Sequence, residues 1–209
     1  MKAVVKIGGS LIKNAPSIIK NLQRHFDGSK GDRILIVPGG GVFVASIKKI
    51  CSRYSIKSDA SHWMAVLSMQ QYAYYMIDKT GVNSTDSIND FPVGVSLLLP
   101  YKELIKKDPL PHSWNVTSDT IAAWVAKETE AHYVKATDVD GVIAEDIVQE
   151  ILTAKELSKM ELTCVDRALP GFLMENRMDC IVVNGKFPER VIDAVLGENV
   201  VGTHIKGNI

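Results

Sequence analysis

Two glycine-rich turns in the chain have residue types that suit phosphate binding. They are Gly8-Gly9-Ser10 and Gly39-Gly40-Gly41, which follow the Val- and Ile-rich runs 3–7 and 33–37. Glycine lets the main chain reach positive φ and lets a phosphate approach backbone N–H groups without a Cβ in the way. One such turn also suits a tight strand-to-helix connection. Two of them together predict sites for two phosphate groups.

A lysine interrupts the first of these apolar runs. Lys6 lies two residues before Gly8. A buried ammonium group is costly unless an anion meets it. We therefore expect the Lys6 ammonium group to emerge at the first glycine turn and to contact a phosphoryl group. The alternative is an edge strand from which Lys6 points into solvent.

Apolar strand-like runs alternate with stretches of helical spacing along the chain. The predicted strands are 3–7, 33–37, 93–99, 132–136, 180–183 and 200–205; the predicted helices follow the first two strands, cover 59–80, 154–160 and 165–175, and begin near 118 and 188. This alternation predicts one domain, residues 1–209, built as a right-handed three-layer α/β/α sandwich with a mainly parallel sheet. Ligands of such sheets bind at the carboxyl ends of the strands, where both glycine turns lie.

Local signals predict where some of these elements begin and end. Asp59 or Ser61 is expected to cap the long helix, and Gly81 is expected to end it. A loop punctuated by prolines, Pro100 among them, is expected before the helix that starts near residue 118.

Composition argues against several classes of partner. The 209 residues include 24 Lys and Arg against 24 Asp and Glu, so the chain lacks the basic excess that attracts nucleic acid or an anionic membrane. Its apolar runs are far shorter than a membrane helix. The three cysteines have no metal-binding spacing, so we expect reduced thiols and no metal ion held by protein ligands. With no export leader apparent, we expect a cytoplasmic protein that binds neither nucleic acid nor membrane.

Four motifs, in this order, resemble those of the amino acid kinase superfamily. They are Lys-Ile-Gly-Gly-Ser at 6–10, Pro-Gly-Gly-Gly at 38–41, Ser-Asp-Thr-Ile-Ala at 118–122 and Thr-Asp-Val-Asp-Gly-Val at 137–142. The P-loop and Rossmann signatures are absent. Members of the superfamily share a three-layer α/β/α fold and transfer the γ-phosphoryl group of ATP to a carboxylate, carbamate or phosphate. The resemblance therefore implies an enzyme that uses ATP and Mg2+.

The resemblance also implies roles on the nucleotide side. It places Lys6 on ATP and on the phosphoryl group in flight. The other nucleotide-binding residues that it implies are Gly8, Gly9 and Ser10 at the phosphates, and Thr137, Asp138, Asp140 and Gly141 near the ribose and base. Lys155 is a further candidate for a phosphate contact, with an exposed helix lysine as the alternative.

On the acceptor side, the resemblance implies that Gly39, Gly40 and Gly41 hold the acceptor. Asp119 resembles the acidic residue that organises the active-site lysines, and Ser118 is expected to cap its helix beside the acceptor. His62 is a candidate contact of the acceptor phosphate, with a packed or surface histidine as the alternative.

The chain departs from members that phosphorylate carboxylates. Those carry a second catalytic lysine in a Gly-Gly-Met-x-x-Lys segment, whereas residues 164–170 here read Cys-Val-Asp-Arg-Ala-Leu-Pro. Arg167 is a candidate replacement for the missing charge, with an exposed helix arginine as the alternative. The departure favours a phosphate acceptor, whose second pKa of about 6 removes the need for a general base.

A narrower resemblance concerns the segments 61–65, 112–119 and 164–166. They are similar to small kinases of methanofuran biosynthesis, which convert an aminomethyl-furan-methanol phosphate into its diphosphate. The expected partner is a small phosphorylated acceptor, and we also expect a homo-oligomer. Two alternatives stay open: an amino-acid or carbamate kinase, and a non-catalytic nucleotide- or oxyanion-binding protein of the same fold that serves storage or sensing.

Overall fold

A computed structural model describes residues 1–89, 92–161 and 163–207. The strands are β1 (Lys2–Ile7), β2 (Arg33–Pro38), β3 (Asn83–Thr85), β4 (Gly94–Leu98), β5 (His132–Thr137), β6 (Ile143–Ala144), β7 (Ile147–Val148), β8 (Ile151–Thr153), β9 (Cys180–Asn184) and β10 (Gly202–Lys206). The helices are α1 (Ala15–Phe26), α2 (Gly41–Arg53), α3 (Ser58–Thr80), α4 (Pro100–Lys107), α5 (Ser118–Thr129), α6 (Ala154–Leu157), α7 (Leu169–Asn176) and α8 (Pro188–Leu196), and a 3-10 turn, Gly9–Leu11, follows β1. No helix in these three ranges is both long and apolar enough to cross a membrane.

The central sheet has eight strands in the order β3-β4-β2-β1-β5-β9-β10-β8. Neighbouring strands are parallel, except that β10 runs antiparallel to β9. Strands β6 and β7 form a separate hairpin. The mainly parallel sheet confirms the predicted α/β fold class. Because parallel strands end at the same edge, the turns after β1, β2 and β5 lie side by side.

Side chains alternate between two apolar cores, one on each face of the sheet. In β1, Val4 packs into the core that contains α5, whereas Val5 packs into the core that contains α1 and α8. Lys6 is two residues after Val4 and therefore faces α5 as well. Tyr133 of β5 packs into the α5 core, so Lys135 also faces α5.

Helix α3 contributes to both cores, with Val66 and Met69 in one and Tyr72 and Met76 in the other. It ends at Gly81 as predicted, with φ of +67°, a left-handed conformation that favours glycine.

The predicted caps of α3 are wrong. The helix begins at Ser58 with Lys57 at the N-cap, and no side chain caps it. Ser61 lies inside the first turns and donates its hydroxyl to the carbonyl of Ile56 at 3.2 Å. The Asp59 carboxylate instead contacts His112, 2.8 Å away. The Asp59 side chain, which local spacing predicted to cap the helix, therefore makes a long-range contact instead.

Two other boundaries differ from the prediction. Pro100 begins helix α4 rather than a loop, because the first turn of a helix leaves its N–H groups unpaired and tolerates proline. Helix α7 begins at Leu169, later than predicted, with Ala168 at the N-cap, and the Asp166 carboxylate accepts the Leu169 N–H at 2.9 Å. The strands β3, β6, β7 and β8 were not predicted, since runs of two or three residues carry no readable periodicity.

Candidate active site

The two glycine turns touch each other at the carboxyl edge of the sheet. A Cβ on Gly9 would collide with the backbone of Gly41. Gly41 itself has φ of +56°, a conformation that other residues adopt only with strain. Tyr72 of α3 lies below, with its hydroxyl 3.5 Å from the carbonyl oxygen of Gly8. Glycine at these two positions is what lets the two turns share one site.

The glycine amides divide into two groups. The N–H of Gly8 donates to the Ala136 carbonyl at 3.0 Å, and that of Gly39 donates to the Ile7 carbonyl at 2.9 Å, so both belong to the sheet. The N–H groups of Gly9 and Gly41 stand in the first turns of the 3-10 turn and of α2, where no intrahelical acceptor exists. The amides available to an anion therefore begin one or two residues later than Gly8 and Gly39.

A buried cluster of three charges lies under the first turn. Lys6 Nζ is 2.8 Å from Asp119 Oδ1, and Lys135 Nζ is 2.6 Å from Asp119 Oδ2. The two lysines are register partners on the neighbouring parallel strands β1 and β5, and Asp119 stands in the first turn of α5 between them. We call Lys6, Asp119 and Lys135 the charge triad.

Sequence analysis missed Lys135. The signal was available, because Lys135 interrupts an apolar strand in the same way as Lys6 does. Lys6 was selected because a glycine-rich turn begins two residues after it. The turn that begins two residues after Lys135 starts with Thr137 and not with glycine.

The three charges shift one another's pKa. Burial is the largest cause of the lowered pKa of Lys6; the Asp119 carboxylate opposes this shift and Lys135 adds to it. Burial by itself raises the pKa of Asp119, but Lys135 and Lys6 together outweigh burial and hold that pKa well below its usual range. Burial lowers and Asp119 raises the pKa of Lys135, and the net direction is upward. Asp119 is therefore ionised at neutral pH, and a bound phosphate raises the pKa of Lys6 by the same attraction.

Asp166 holds the N-terminus of α5 in place. Its carboxylate accepts the N–H of Thr117 at 2.8 Å and the hydroxyl of Thr120 at 2.6 Å. Its own N–H donates to Asp119 Oδ2 at 3.0 Å. These bonds orient the Asp119 carboxylate toward the lysines. Sequence analysis assigned Asp166 no role in the site, because its partners lie more than forty residues away in the chain.

The predicted cap of α5 is also corrected. The N-cap is Thr117, whose hydroxyl accepts the Asp119 N–H at 3.5 Å. Ser118 is the first residue of the helix and lines the adjacent cavity.

A cavity of about 460 Å³ opens from the glycine turns between α2, α3 and α5. Gly9, Ser10, Gly40 and Gly41 line one end of it, and His62 and Trp114 also line it. The walls between them are mainly apolar, with Val44, Val66 and Met69 among the side chains. The cavity offers amides to an anion at the glycine turns and an apolar surface to the rest of a small molecule.

His62 lies at the other end of this cavity from the glycine turns. It precedes Tyr72, which packs under the turns, by ten residues of α3, a distance of about 15 Å along the helix axis. The His62 ring stacks on that of His112, with centroids 4.2 Å apart. Burial, and then the neighbouring His112, lowers the pKa of His62. This position suits a contact with the far end of an acceptor rather than with its phosphate.

His112 is held between two carboxylates. Its ring nitrogens lie 2.8 Å from Asp59 and 2.8 Å from Asp108. The hydrogen bonds that the Asp59 and Asp108 carboxylates accept from the ring raise the pKa of His112. His112 therefore fixes the plane on which His62 stacks.

Comparison with known proteins identifies the family. A model of the amino acid kinase family matches residues 100–184. The [5-(aminomethyl)furan-3-yl]methyl phosphate kinase of Methanocaldococcus jannaschii is 32% identical over 211 residues, which cover 98% of this chain and 97% of that protein. The chain belongs to the amino acid kinase family.

Other members of the amino acid kinase family show the same likeness at lower identity. A uridylate kinase of Thermofilum pendens is 24% identical over 98% of this chain and 97% of its own length. The crystal structure of UMP kinase from Ureaplasma parvum matches with a TM-score of 0.70 at 17% identity, over 99% of both chains. This structural likeness shows that the fold is shared.

In this amino acid kinase family member, the turn after β5, which carries four of the predicted nucleotide-side residues, contacts the first glycine turn through Asp138. The hydroxyl of Ser10 donates to Asp138 Oδ1 at 2.8 Å, and this bond is the largest cause of the lowered pKa of Asp138. The Asp140 carboxylate accepts from Asn184 at 2.9 Å and pairs with Arg190 at 2.7 Å. The structure thus brings the turn after β5 together with the turn after β1.

Two further contacts involve the turn after β5. A Cβ on Gly141 would collide with the side chain of Thr203, whose hydroxyl accepts the Val142 N–H at 2.8 Å. Lys186 Nζ donates to the carbonyl of Asp138 at 2.9 Å, and its side chain is otherwise exposed. Sequence analysis did not select Lys186, Asn184 or Arg190, because none of them interrupts an apolar pattern.

Lys155 and Arg167 lie outside this constellation. Lys155 is exposed on α6, which follows the edge strand β8, four strands away from β1. Arg167 is exposed and donates to the carbonyl of Glu161 at 3.4 Å. In the described part of the chain, neither residue contacts the charge triad or the glycine turns. The second cation next to Asp119 is Lys135.

Proposed function

We propose that the chain transfers the γ-phosphoryl group of ATP to the phosphate of [5-(aminomethyl)furan-3-yl]methyl phosphate, referred to below as the furan phosphate, and so forms its diphosphate. The observation that carries this proposal is the charge triad at the junction of two amide-lined turns. The relative that acts on this phosphate supports it, because it matches nearly the whole chain.

The proposed reaction needs two anions in line. A non-bridging oxygen of the acceptor phosphate attacks the γ-phosphorus of ATP and forms the new P–O bond. The bond between the γ-phosphorus and the bridging oxygen breaks, and its electron pair leaves with ADP. Such transfers depend on positioning and on stabilising charge rather than on covalent chemistry by the protein.

Each part of the site has a distinct role in this proposal. The amides that begin at Gly9 bind the ATP phosphates, and those that begin at Gly41 bind the acceptor phosphate, because helix N-termini stabilise anions. Lys6 lies below the first turn and contacts the transferring group. The ATP side is bordered by four residues of the turn after β5, namely Thr137, Asp138, Asp140 and Gly141. Asp119 aims Lys6 and is itself aimed by Asp166.

Mg2+ fits the site as part of the ATP complex. It prefers several waters and the phosphates of its substrate to a cage of protein ligands. Across residues 1–89, 92–161 and 163–207, no group of three His, Cys, Asp or Glu side chains is arranged to hold a metal ion. The ion neutralises charge on the phosphates when it is bound.

The cavity supports a small acceptor. Its volume of about 460 Å³ and its largely apolar walls suit a compact ring, and His62 lies where the end opposite the phosphate would reach. A neutral imidazole accepts a hydrogen bond, which suits the aminomethyl group of the furan phosphate.

The test uses purified protein with Mg2+, ATP labelled at the γ-phosphate, and a panel of acceptors. We expect label in the furan diphosphate, at a kcat/KM at least 100-fold above that for UMP. Preferred labelling of UMP would assign the acceptor to the nucleotides instead. Acyl phosphate trapped by hydroxylamine would reveal a carboxylate kinase, and tight ATP binding without transfer to any acceptor would favour storage or sensing.

We also propose a cytoplasmic homo-oligomer. The cytoplasmic location is supported by the proposed use of ATP, which the cytoplasm supplies. Large apolar side chains are exposed on α2, at its C-cap and on α3, among them Val42, Tyr54, Leu67 and Tyr74. Contiguous patches of large exposed apolar side chains are typical of protein–protein interfaces. Light scattering during gel filtration tests this proposal, and a mass of 22.9 kDa at micromolar concentration would contradict it.

A further inference from the structure

Lys135 is placed where it cannot touch a substrate. Only 2% of its side chain is exposed, and its ammonium group lies against Asp119 Oδ2. Cys164 and Cys180 are its other polar neighbours, and burial raises the pKa of both thiols. A lysine buried in this way needs an explanation, because removing an ammonium group from water costs several kcal/mol.

The need to balance the charge of Asp119 does not by itself explain why a second lysine, Lys135, is buried beside it. Lys6 already lies 2.8 Å from the same carboxylate, so one lysine balances one aspartate. With both lysines protonated, the charge triad carries 2 − 1 = +1. Without Lys135 the sum is zero.

Asp166 does not cancel the remaining charge. Its carboxylate accepts the N–H groups of Thr117, Thr120 and Leu169 and the hydroxyls of the two threonines. The N-terminal ends of α5 and α7 therefore offset its charge. Among the charged groups that influence Lys6, Asp166 acts more weakly than Asp119 and Lys135.

The contact between Lys6 and Asp119 also leaves protons available. An ammonium group has three N–H donors, and the 2.8 Å contact with the buried Asp119 Oδ1 engages one of them, so two remain. Lys6 is 7% exposed at its side chain and lies below the first glycine turn. Its ammonium group is held in position and keeps donors for a phosphate.

We propose that Lys135 is a positioning residue that occupies the charge of Asp119, so that the Lys6 ammonium group remains uncompensated for the phosphoryl group in flight. The inference rests on the proposed phosphoryl transfer. Lys135 thus acts through Asp119 and Lys6, and the register between β1 and β5 sets their arrangement.

The test compares charge-deletion variants within the triad. Lys135→Met lowers the charge of the triad to zero, and we expect kcat to fall about 100-fold, the size of the loss of one preorganised donor. In the double variant Lys135→Met with Asp119→Asn, no carboxylate compensates Lys6, which a bound phosphate keeps protonated, and we expect it to regain at least tenfold over Lys135→Met. Lys206→Met serves as the control, because Lys206 pairs with Asp179 at 2.8 Å at the far side of the sheet. Its kcat should stay within twofold of the wild-type value.

A purely structural role predicts a different order. The double variant would then recover thermal stability but no activity over Lys135→Met, and this result would overturn the proposal. Should Lys135→Met fail to fold, the comparison passes to Asp119→Asn and the double variant. Equal rates for these two would confirm that Lys135 acts only through Asp119, and a further large loss on adding Lys135→Met would contradict it.

A binding measurement separates this inference from the proposed function. Calorimetry measures the binding of ATP with Mg2+ and needs no turnover. We expect a lower ATP affinity in Lys135→Met, whose triad charge is zero, than in the wild type and the double variant, whose triad charge is +1. If the wild-type protein transfers phosphate to none of the acceptors, the proposed function is wrong, but the order of the ATP affinities still tests the role of Lys135. Unchanged ATP affinity in Lys135→Met together with unchanged kcat would refute the role of Lys135.

Discussion

Replacing Lys6 by methionine removes the cation that we propose contacts the transferring phosphoryl group. The methionine retains the length and most of the volume of the buried stem. Asp119 keeps its partner, because Lys135 Nζ remains 2.6 Å from Oδ2. The fold should therefore survive, and the variant isolates the charge of Lys6.

The expected loss is that of one preorganised charge-stabilising donor, about 2.7–4 kcal/mol of activation free energy, or roughly 100- to 1000-fold in kcat. The KM values should change less, since the amides that begin at Gly9 and Gly41 still bind the two phosphates. Steady-state kinetics over a range of ATP and acceptor concentrations measures both quantities, and circular dichroism on heating checks that the variant is folded.

The control is again Lys206→Met, which removes a lysine charge outside the site. A Lys6→Met variant that retained kcat within threefold of wild type would refute the reasoning. The same loss in the control would show that the assay reports overall stability rather than the site.

Three further predictions concern the glycine turns, pH and the support of Asp119. Gly9→Ala should raise the KM for both substrates at least tenfold in steady-state assays, since its Cβ would collide with Gly41, whereas Gly28→Ala has open space around it and serves as the control. Because burial lowers the pKa of Lys6 in the protein without substrate, kcat/KM measured from pH 7 to 10.5 should be full below that pKa and decline as pH rises through it, before a free lysine would lose its proton; a flat profile to pH 10.5 would contradict this. Asp166→Ala should lower the free energy of unfolding in urea by about 2–4 kcal/mol, since it leaves buried N–H groups at two helix N-termini without acceptors, and an unchanged midpoint would count against that role.

Part of the site was readable from local pattern. Lys6 interrupts an apolar strand next to a glycine turn and was selected on that ground, whereas Asp119 was selected through the resemblance of its motif to the amino acid kinase superfamily. The glycine turns were placed at the correct edge, because strands followed by helices lead to a parallel sheet. Their amides were assigned less well, since the N–H groups of Gly8 and Gly39 turned out to belong to the sheet.

The positions that sequence analysis missed share one property. Lys135 acquires its role from the register between β1 and β5, and Asp166 from bonds to residues more than forty positions away. His62 was expected near the acceptor phosphate, and the direction of α3 instead places it at the other end of the cavity. Spacing along the chain contains no information on such distances.

The amino-acid sequence by itself determined the alternation of strands and helices, the two glycine turns and the lysine that serves them, because periodicity and glycine conformation are local properties. Only the tertiary structure decided that a second lysine shares Asp119, that Asp166 aims this carboxylate, and that the two turns meet. The physical reason is that ion pairs and close backbone contacts depend on ångström separations between distant segments, which exist only once the strands have paired and α5 has packed on them.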